Sequence, residues 1–457
     1  MHSELSRRST LGLLAGVPAV MRGAARKPNV LFIVSDDLNN ALGCYGHPII
    51  KSPNIDRLAE QGVRFDHSYC QFPLCSPSRT SFLSGLRPDT THIWGNQTRL
   101  RQFKKDIVFL PEYLARAGYF TARVGKVAHD RFEDDVKWNI SEDARREGED
   151  TPSFQKPGQP RLVGSLHWKP TDNTDEQEPD GSSARRLVEI IEQHKHQSFF
   201  IGAGFHKPHE GWSAPKKYFD LYPPEKIPMP DPHREAPPIA VTDHHNPNIP
   251  KEKFQQAIAA YYACISFMDA QVGVLLDALD RMKLTDNTMI MLIGDNGYHL
   301  GEHGMWRKMS LYEESARVPL IVATPGKKRG AACGRLIEAV DLCPTILEYC
   351  GVPVPKNLEG LSLLPLLDNP NRPWKKGAFT MQPRSRDTIG RSVRTERYRY
   401  TEWGNENTAE LYDHQTDPRE NHNLVEDAKS IDTLTEMRKL LHGGWRAALP
   451  KGYRRSA

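Results

Sequence analysis

Four short stretches of the chain are continuously apolar: residues 29–35 (NVLFIVS), 198–204 (SFFIGAG), 288–294 (TMIMLIG) and 318–323 (VPLIVA). Runs of this length without alternation are expected of strands covered on both faces. Residues 120–124 read as a further strand. Between these runs, residues 53–62, 110–118, 182–195, 254–282 and 341–350 have a helical pattern; the longest shows apolar residues at three-to-four spacing, and the second is stopped by a glycine. The alternation predicts an α/β fold with a mainly parallel sheet flanked by helices on both faces. Residues 141–181 and 221–250 are polar and proline-rich, which predicts long surface loops. From about residue 374 the pattern changes to short alternating runs such as 391–403 (RSVRTERYRYTEW). A small C-terminal α+β subdomain is predicted there, an antiparallel sheet closed by a helix near 431–442. The division is therefore 28–373 for the main domain and 374–457 for the subdomain, with no internal repeat.

Composition narrows the function classes. Lys plus Arg number 61 and Asp plus Glu 57, a net +4 spread along 457 residues with no basic block. A nucleic-acid backbone partner has little support from that distribution. No stretch approaches the ~20 apolar residues of a membrane span. Seven cysteines are an odd number and form no C-x-x-C pair, which argues against a zinc ribbon or a dithiol redox site. Their pairing is not fixed by the sequence, and one thiol must remain over. At the N-terminus Arg7-Arg8 precede an apolar run over 11–20 and the small residues Gly23-Ala24-Ala25, the order of an export signal. The arginine pair resembles a twin-arginine signal, with Thr10 where that signal usually has an aromatic residue. Residues 1–25 are set aside as a targeting segment, and a periplasmic or secreted location is expected.

Three constellations carry chemistry. Asp36-Asp37 directly follow the strand 29–35, and ligands of open parallel sheets sit at the carboxyl ends of strands. Adjacent carboxylates there repel unless a hard cation neutralises them; the plain alternative is a helix cap with a second solvated acid. Asp295-Asn296 repeat the arrangement after the strand 288–294, where an Asn-Gly turn is the plain alternative. Together the pairs offer four oxygen-bearing side chains for one Ca²⁺ or Mg²⁺. The third is Cys75-Ser76-Pro77-Ser78-Arg79, with Pro77 suited to a first helical turn. Cys75 then lies at a helix N-terminus, where the dipole and Arg79 favour an anion.

Residues 75–85 match the signature C-x-P-S-R-x-x-x-L-[ST]-G, and on it the chain resembles the formylglycine-dependent sulfatase family. Gly125-Lys126-Val127-Ala128-His129 is similar to that family's G-K-x-x-H element, and His206-Lys207-Pro208-His209 to its H-K-P-H element. Residues 294–308 (GDNGYHLGEHGMWRK) resemble its second metal strand with a following lysine. The last two, with 394–403 (RTERYRYTEW) and 410–413 (ELYD), most resemble the iduronate-2-sulfatase branch. The resemblance runs over nearly all of residues 28–425. Asn296 departs from that branch, which often has His; other sulfatases have Asn, and an amide oxygen suits calcium better.

The resemblance implies an alkaline-phosphatase-like core and one calcium held by Asp36, Asp37, Asp295, Asn296 and a modified Cys75. A separate maturation enzyme would oxidise Cys75 to Cα-formylglycine. The hydrated aldehyde would attack sulfur with one hydroxyl and expel sulfate through the other. His129 would serve as base and His206 as proton donor to the leaving alcohol. Arg79, Lys126 and Lys308 would neutralise the sulfate oxygens. Trp306, Arg384 and His299 are candidates for contacting the sugar. The expected substrate is a sulfated saccharide, with a uronic acid 2-sulfate as the specific candidate. A phosphonate monoester or phosphodiester hydrolase on the same core is one alternative. A non-catalytic glycan-binding protein with unconverted Cys75 is another.

Overall fold

The structure is a computed structural model and describes residues 27–450 apart from 130–131, 133–134, 145–165, 243–249 and 386. The expected targeting segment 1–25 lies outside the described residues, as do parts of both predicted loops. The strands, in chain order, are β1 (Asn29–Asp36), β2 (Val63–Tyr69), β3 (Phe120–Gly125), β4 (Ile140–Glu142), β5 (Trp168–Thr171), β6 (Phe199–Pro208), β7 (Trp212–Pro215), β8 (Thr288–Gly294), β9 (His299–Leu300), β10 (Trp306–Arg307), β11 (Leu320–Ala323), β12 (Ala331–Glu338), β13 (Ala378–Pro383), β14 (Ile389–Arg394), β15 (Tyr398–Trp403) and β16 (Asn405–Asp413). Eight of them form one sheet in the order β12-β2-β11-β8-β1-β6-β3-β4.

β1 is at the centre and all eight of its residues are buried. Its side chains alternate between two cores. Leu31 and Ile33 pack on one face with the helices Pro179–His194 and Lys251–Arg281. Val30, Phe32 and Val34 pack on the other with Phe82, Leu110 and Ile346 from three further helices. That double burial is why the run is apolar throughout rather than alternating. β6 and β8 flank β1 in parallel, with Ser35 level with both Phe205 and Gly294, so the carboxyl ends of three strands finish together. β11 runs antiparallel between β8 and β2, which makes the sheet mixed but mainly parallel, as expected.

The long helix Lys251–Arg281 revises one expectation. By length and composition it is apolar enough to cross a membrane, but 89% of its apolar window is buried inside the protein, so it is a core helix. The region read as a loop over 141–181 also carries structure: β4 extends the main sheet, and β5 pairs with β7. The C-terminal part follows the predicted pattern. β13 to β16 form an antiparallel sheet, and Val393, Tyr400 and Leu411 pack on Met437 and Leu441 of the helix Ile431–Ala447. All seven cysteines are free thiols.

Candidate functional site

Cys75 is the first residue of the helix Cys75–Ser84, whose ten residues are all buried although most are polar. Hydroxyls satisfy themselves on the preceding turn: Thr80 Oγ1 donates to the Ser76 carbonyl (2.7 Å), Ser81 Oγ to Pro77 (2.9 Å) and Ser84 Oγ to Thr80 (2.6 Å). Gly85 ends the helix at φ +70, in the left-handed region that an L side chain rarely adopts. At the other end the Ser76 N–H donates to Asn96 Oδ1 (3.0 Å), which fixes the first turn. The thiol faces the end of β1, with Sγ 3.3 Å from Asp36 Oδ1 and 3.9 Å from Asp37 Oδ1.

Three cations converge on the same point. Lys126 Nζ donates to Asp36 Oδ2 (2.5 Å). Arg79 donates through Nε to Asp295 Oδ2 (2.7 Å), and its Nη2 lies 3.4 Å from Asp36 Oδ1. Lys308 Nζ contacts Asp37 Oδ1 and donates to Cys75 Sγ (2.9 Å). Lys126 is delivered by a tight crossing. Gly125 stands at φ +77, and a Cβ there would lie 2.0 Å from the Gly204 carbonyl oxygen. Only glycine lets β3 end so close to β6.

Burial opposes the Asp36 charge, but Lys126, then His209, Arg79 and Lys308, hold its carboxyl well below the usual range. Burial also opposes the Lys308 ammonium, which Asp37, then Cys75 and Asp36, stabilise until its pKa stands well above the ordinary value. Asp295 goes the other way, pushed up to about 6 by burial and by Asp36 and Asp37 against the pull of Arg79. Burial, then Asp36, raise the Cys75 thiol well above its usual value, so as an unmodified cysteine it stays protonated and a poor nucleophile.

The residues present fit a hard cation. Asp36, Asp37 and Asp295 each offer an oxygen, and these atoms all lie within 4.8 Å of one another. All three carboxylates are buried. Asn296 uses its Nδ2 on Asp37 Oδ1 (2.8 Å) and the Gly297 carbonyl (2.9 Å), while its Oδ1 is buried without a hydrogen-bond partner. A buried orphan oxygen beside three buried carboxylates is a donor set for calcium or magnesium. Asp37 takes a left-handed backbone (φ 61) to turn inward. Tyr261, from the long helix, holds that turn: its hydroxyl donates to the Asp37 carbonyl (2.7 Å) and accepts the Asn39 N–H (3.0 Å).

The two other predicted histidines lie on neighbouring segments. His206 lies near the end of β6, its main-chain N–H on Asp180 Oδ1 (2.9 Å) and its Nε2 3.5 Å from Asp143 Oδ1. His129 follows Lys126 on the same segment, with its ring centroid 6.4 Å from that of Phe132. His209, the last residue of the H-K-P-H element, also reaches the centre, with Nε2 3.6 Å from Asp37 Oδ2.

The three candidates for contacting a sugar all have partners within the protein. Trp306 is 1% exposed and stacked on Phe254, centroids 5.4 Å apart, in the main core. His299 is buried, with Nε2 bonded to Ser310 Oγ (2.6 Å), and burial lowers its pKa to about 4. Arg384 donates to the carbonyls of Ile239 (2.9 Å), Ala240 (2.9 Å) and Met309 (2.7 Å). Trp306 and His299 are held inside the protein by packing and a hydroxyl partner, while Arg384 is half-buried on main-chain partners.

The family model Sulfatase matches residues 28–352, a span that holds the Cys75 helix and both strand-end acid pairs. The chain belongs to the sulfatase family. A second model, N-sulphoglucosamine sulphohydrolase, C-terminal, matches residues 301–445. Among relatives, a sulfatase of Formosa agariphila is 32% identical, the match covering 91% of this chain and 86% of that one. The iduronate 2-sulfatase of Mus musculus is also 32% identical, over 90% of this chain and 93% of its own. The sulfatase fold recurs in BT4656, solved in complex with its substrate D-glucosamine-2-N,6-O-disulfate (TM-score 0.77, 23% identity, 93% of this chain and 98% of that one). It recurs equally in the phosphonate monoester hydrolase of Agrobacterium radiobacter (TM-score 0.77, 21% identity, 92% and 96%). These last two establish the alkaline-phosphatase-like fold.

Proposed function

We propose that this sulfatase is an exported, calcium-dependent enzyme that removes sulfate from a sulfated carbohydrate, with a uronic acid 2-sulfate as the specific substrate. The observation that carries the reading is the position of Cys75 Sγ, which touches Asp36 and Lys308 and is ringed by Arg79, Lys126 and three buried carboxylates. The uronate part leans on the likeness to iduronate 2-sulfatase.

In this reading a maturation enzyme converts Cys75 to formylglycine, which supplies two hydroxyls when hydrated, one to accept the sulfuryl group and one to expel it. Calcium, when bound by Asp36, Asp37, Asp295 and Asn296, supplies Lewis-acid polarisation of a sulfate oxygen and a lower pKa for the attacking hydroxyl. Arg79, Lys126 and Lys308 meet the negative charge that grows on the sulfuryl oxygens. His206 donates the proton that the leaving alcohol requires, with Asp143 beside its ring. His129 takes the proton of the second hydroxyl as sulfate departs.

The test is a side-by-side assay of aryl sulfate, aryl phosphate, aryl phosphonate and defined sulfated saccharides. It uses protein matured in a host that carries the converting enzyme, with mass spectrometry of the Cys75 peptide. Sulfate esters should be preferred, and uronic acid 2-sulfates among them. A stronger preference for phosphorus esters would assign the chain to the phosphonate and phosphodiester hydrolases instead. Unmodified Cys75 in an active preparation would falsify the proposed chemistry.

A further inference from the structure

Lys308 is presented by a short stretch of unusual backbone. His303 (φ 58), Arg307 (φ 70) and Met309 (φ 75) are three of the seven non-glycine residues with positive φ among the described residues. Left-handed backbone at non-glycine residues persists only where the surroundings over-determine it. Here the surroundings are specific. Trp306 anchors one side of β10 in the core, and the neighbouring Arg307 pairs with Glu210 of the segment that carries His206 and His209. Ser310 is held by His299.

The Met309 carbonyl is taken by Arg384, which lies in the β13–β14 turn of the C-terminal sheet. The same guanidinium bonds the Ile239 and Ala240 carbonyls and lies over the Trp403 ring, 4.6 Å from its centroid. Trp403 is itself fixed by donating to Glu410, which also accepts from Tyr312. One rigid cation of the subdomain thus ties together the residue after Lys308, a separate loop and the second sheet. Lysine in its place could reach at most part of this, because the three acceptors are spread around a planar fork.

We propose that Arg384 is a positioning residue for Lys308, so that the C-terminal subdomain forms part of the catalytic apparatus by holding the Arg307–Ser310 stretch, left-handed at Arg307 and Met309, in place. The inference rests on the reading of Lys308 as a sulfate-binding group. It gives a common role to His299, Trp306 and Arg384, which support the stretch that carries Lys308.

The test uses the full-length matured enzyme with an aryl sulfate, comparing Arg384→Met, Lys308→Met and the double variant. Arg384→Met should lower kcat/KM roughly ten- to hundredfold in the native background. In the Lys308→Met background it should cost less than about twofold, because the positioned group is gone. Brief acetylation followed by peptide mass spectrometry should label Lys308 several-fold faster in Arg384→Met, with the other lysines unchanged. Arg384→Lys, which keeps a cation over Trp403, should recover part of the rate. Equal losses in both backgrounds, or unchanged Lys308 labelling alongside a lost rate, would reassign Arg384 to general stability and overturn the inference. Should Arg384→Met fail to fold, the same comparison is made with Arg384→Lys. A native enzyme inert toward every sulfate ester would sink the functional reading instead, and the labelling result would still judge the support of Lys308 by itself.

Discussion

Glu338, at the end of β12, is a buried carboxylate whose replacement by glutamine tests the electrostatics of the fold. Its two oxygens accept a bidentate pair of bonds from Arg87 (both 2.7 Å), one from Lys375 Nζ (2.8 Å) and one from the Phe379 N–H (2.9 Å). The residue therefore joins the exit of the Cys75 helix, the edge of the main sheet and the start of the C-terminal sheet. Burial works against its charge, yet Arg87 and then Lys375 bring its pKa from an ordinary 4.5 down to about 2. A folded-state pKa below the unfolded one means the unfolded chain binds the proton more readily. The stabilisation is then fully present above about pH 4.5 and lost as pH falls toward about 2. At ~1.4 kcal/mol for each pH unit, the gap corresponds to about 3 kcal/mol. That is an upper figure, because burial and Glu338 itself push Asp341, which shares Lys375, in the opposite direction. Urea unfolding of the native protein and Glu338→Gln, followed by tryptophan fluorescence in the same calcium concentration, should differ by about 2–3 kcal/mol at pH 7. The difference should narrow below about pH 4.5 and nearly close near pH 2.5. A gap that stays constant or widens on acidification would refute the reasoning.

Other outcomes follow from the site and the core. Cys75→Ala should abolish turnover and Cys75→Ser should leave little, measured on aryl sulfate; substantial rates in the alanine variant would count against residue 75 as nucleophile. Removing metal with a chelator should abolish activity and lower the melting temperature, and added calcium should restore both; indifference to chelation would exclude the hard-cation site. Tyr261→Phe removes the hydroxyl that holds the Asp37 turn and should weaken calcium binding about tenfold by calorimetry; unchanged affinity would make that bond incidental. Trp306→Ala should cost about 3–5 kcal/mol of stability as a core cavity, while the KM for a sulfated sugar measured on the folded fraction stays the same; a raised KM would return Trp306 to the substrate.

The main sheet was legible where burial on both faces wrote a continuous apolar run, as in β1 and β8. β2 and β12 escaped notice for physical reasons. β2 (VRFDHSY) carries half-buried Arg64, Asp66 and His67 across both faces, and β12 (AACGRLIE) is interrupted by an irregular register between Cys333 and Leu336. The antiparallel direction of β11 had no signal at all, since strand direction is a property of the pairing and not of the run. At the site, residues within contiguous motifs could be read, including Asp36, Asp37, Cys75, Arg79, Lys126 and Lys308. Asp143, Asp180 and Tyr261 could not, because each meets the site from a distant element through a single side chain. The burial of His299 and Trp306 was not legible from their proximity in sequence to Lys308. Whether a side chain beside a motif points out or in is decided by the packing beneath it.

Cys75 lies in the interior of the folded protein, 1% exposed, with its sulfur held against Asp36 and Lys308. No catalyst of macromolecular size can grasp a peptide segment locked in that interior. If the oxidation proposed for this position takes place, it belongs to the brief interval when the newly made polypeptide is still open. The yield of competent molecules would then be set by a race between conversion and collapse, and slowing the collapse should raise it.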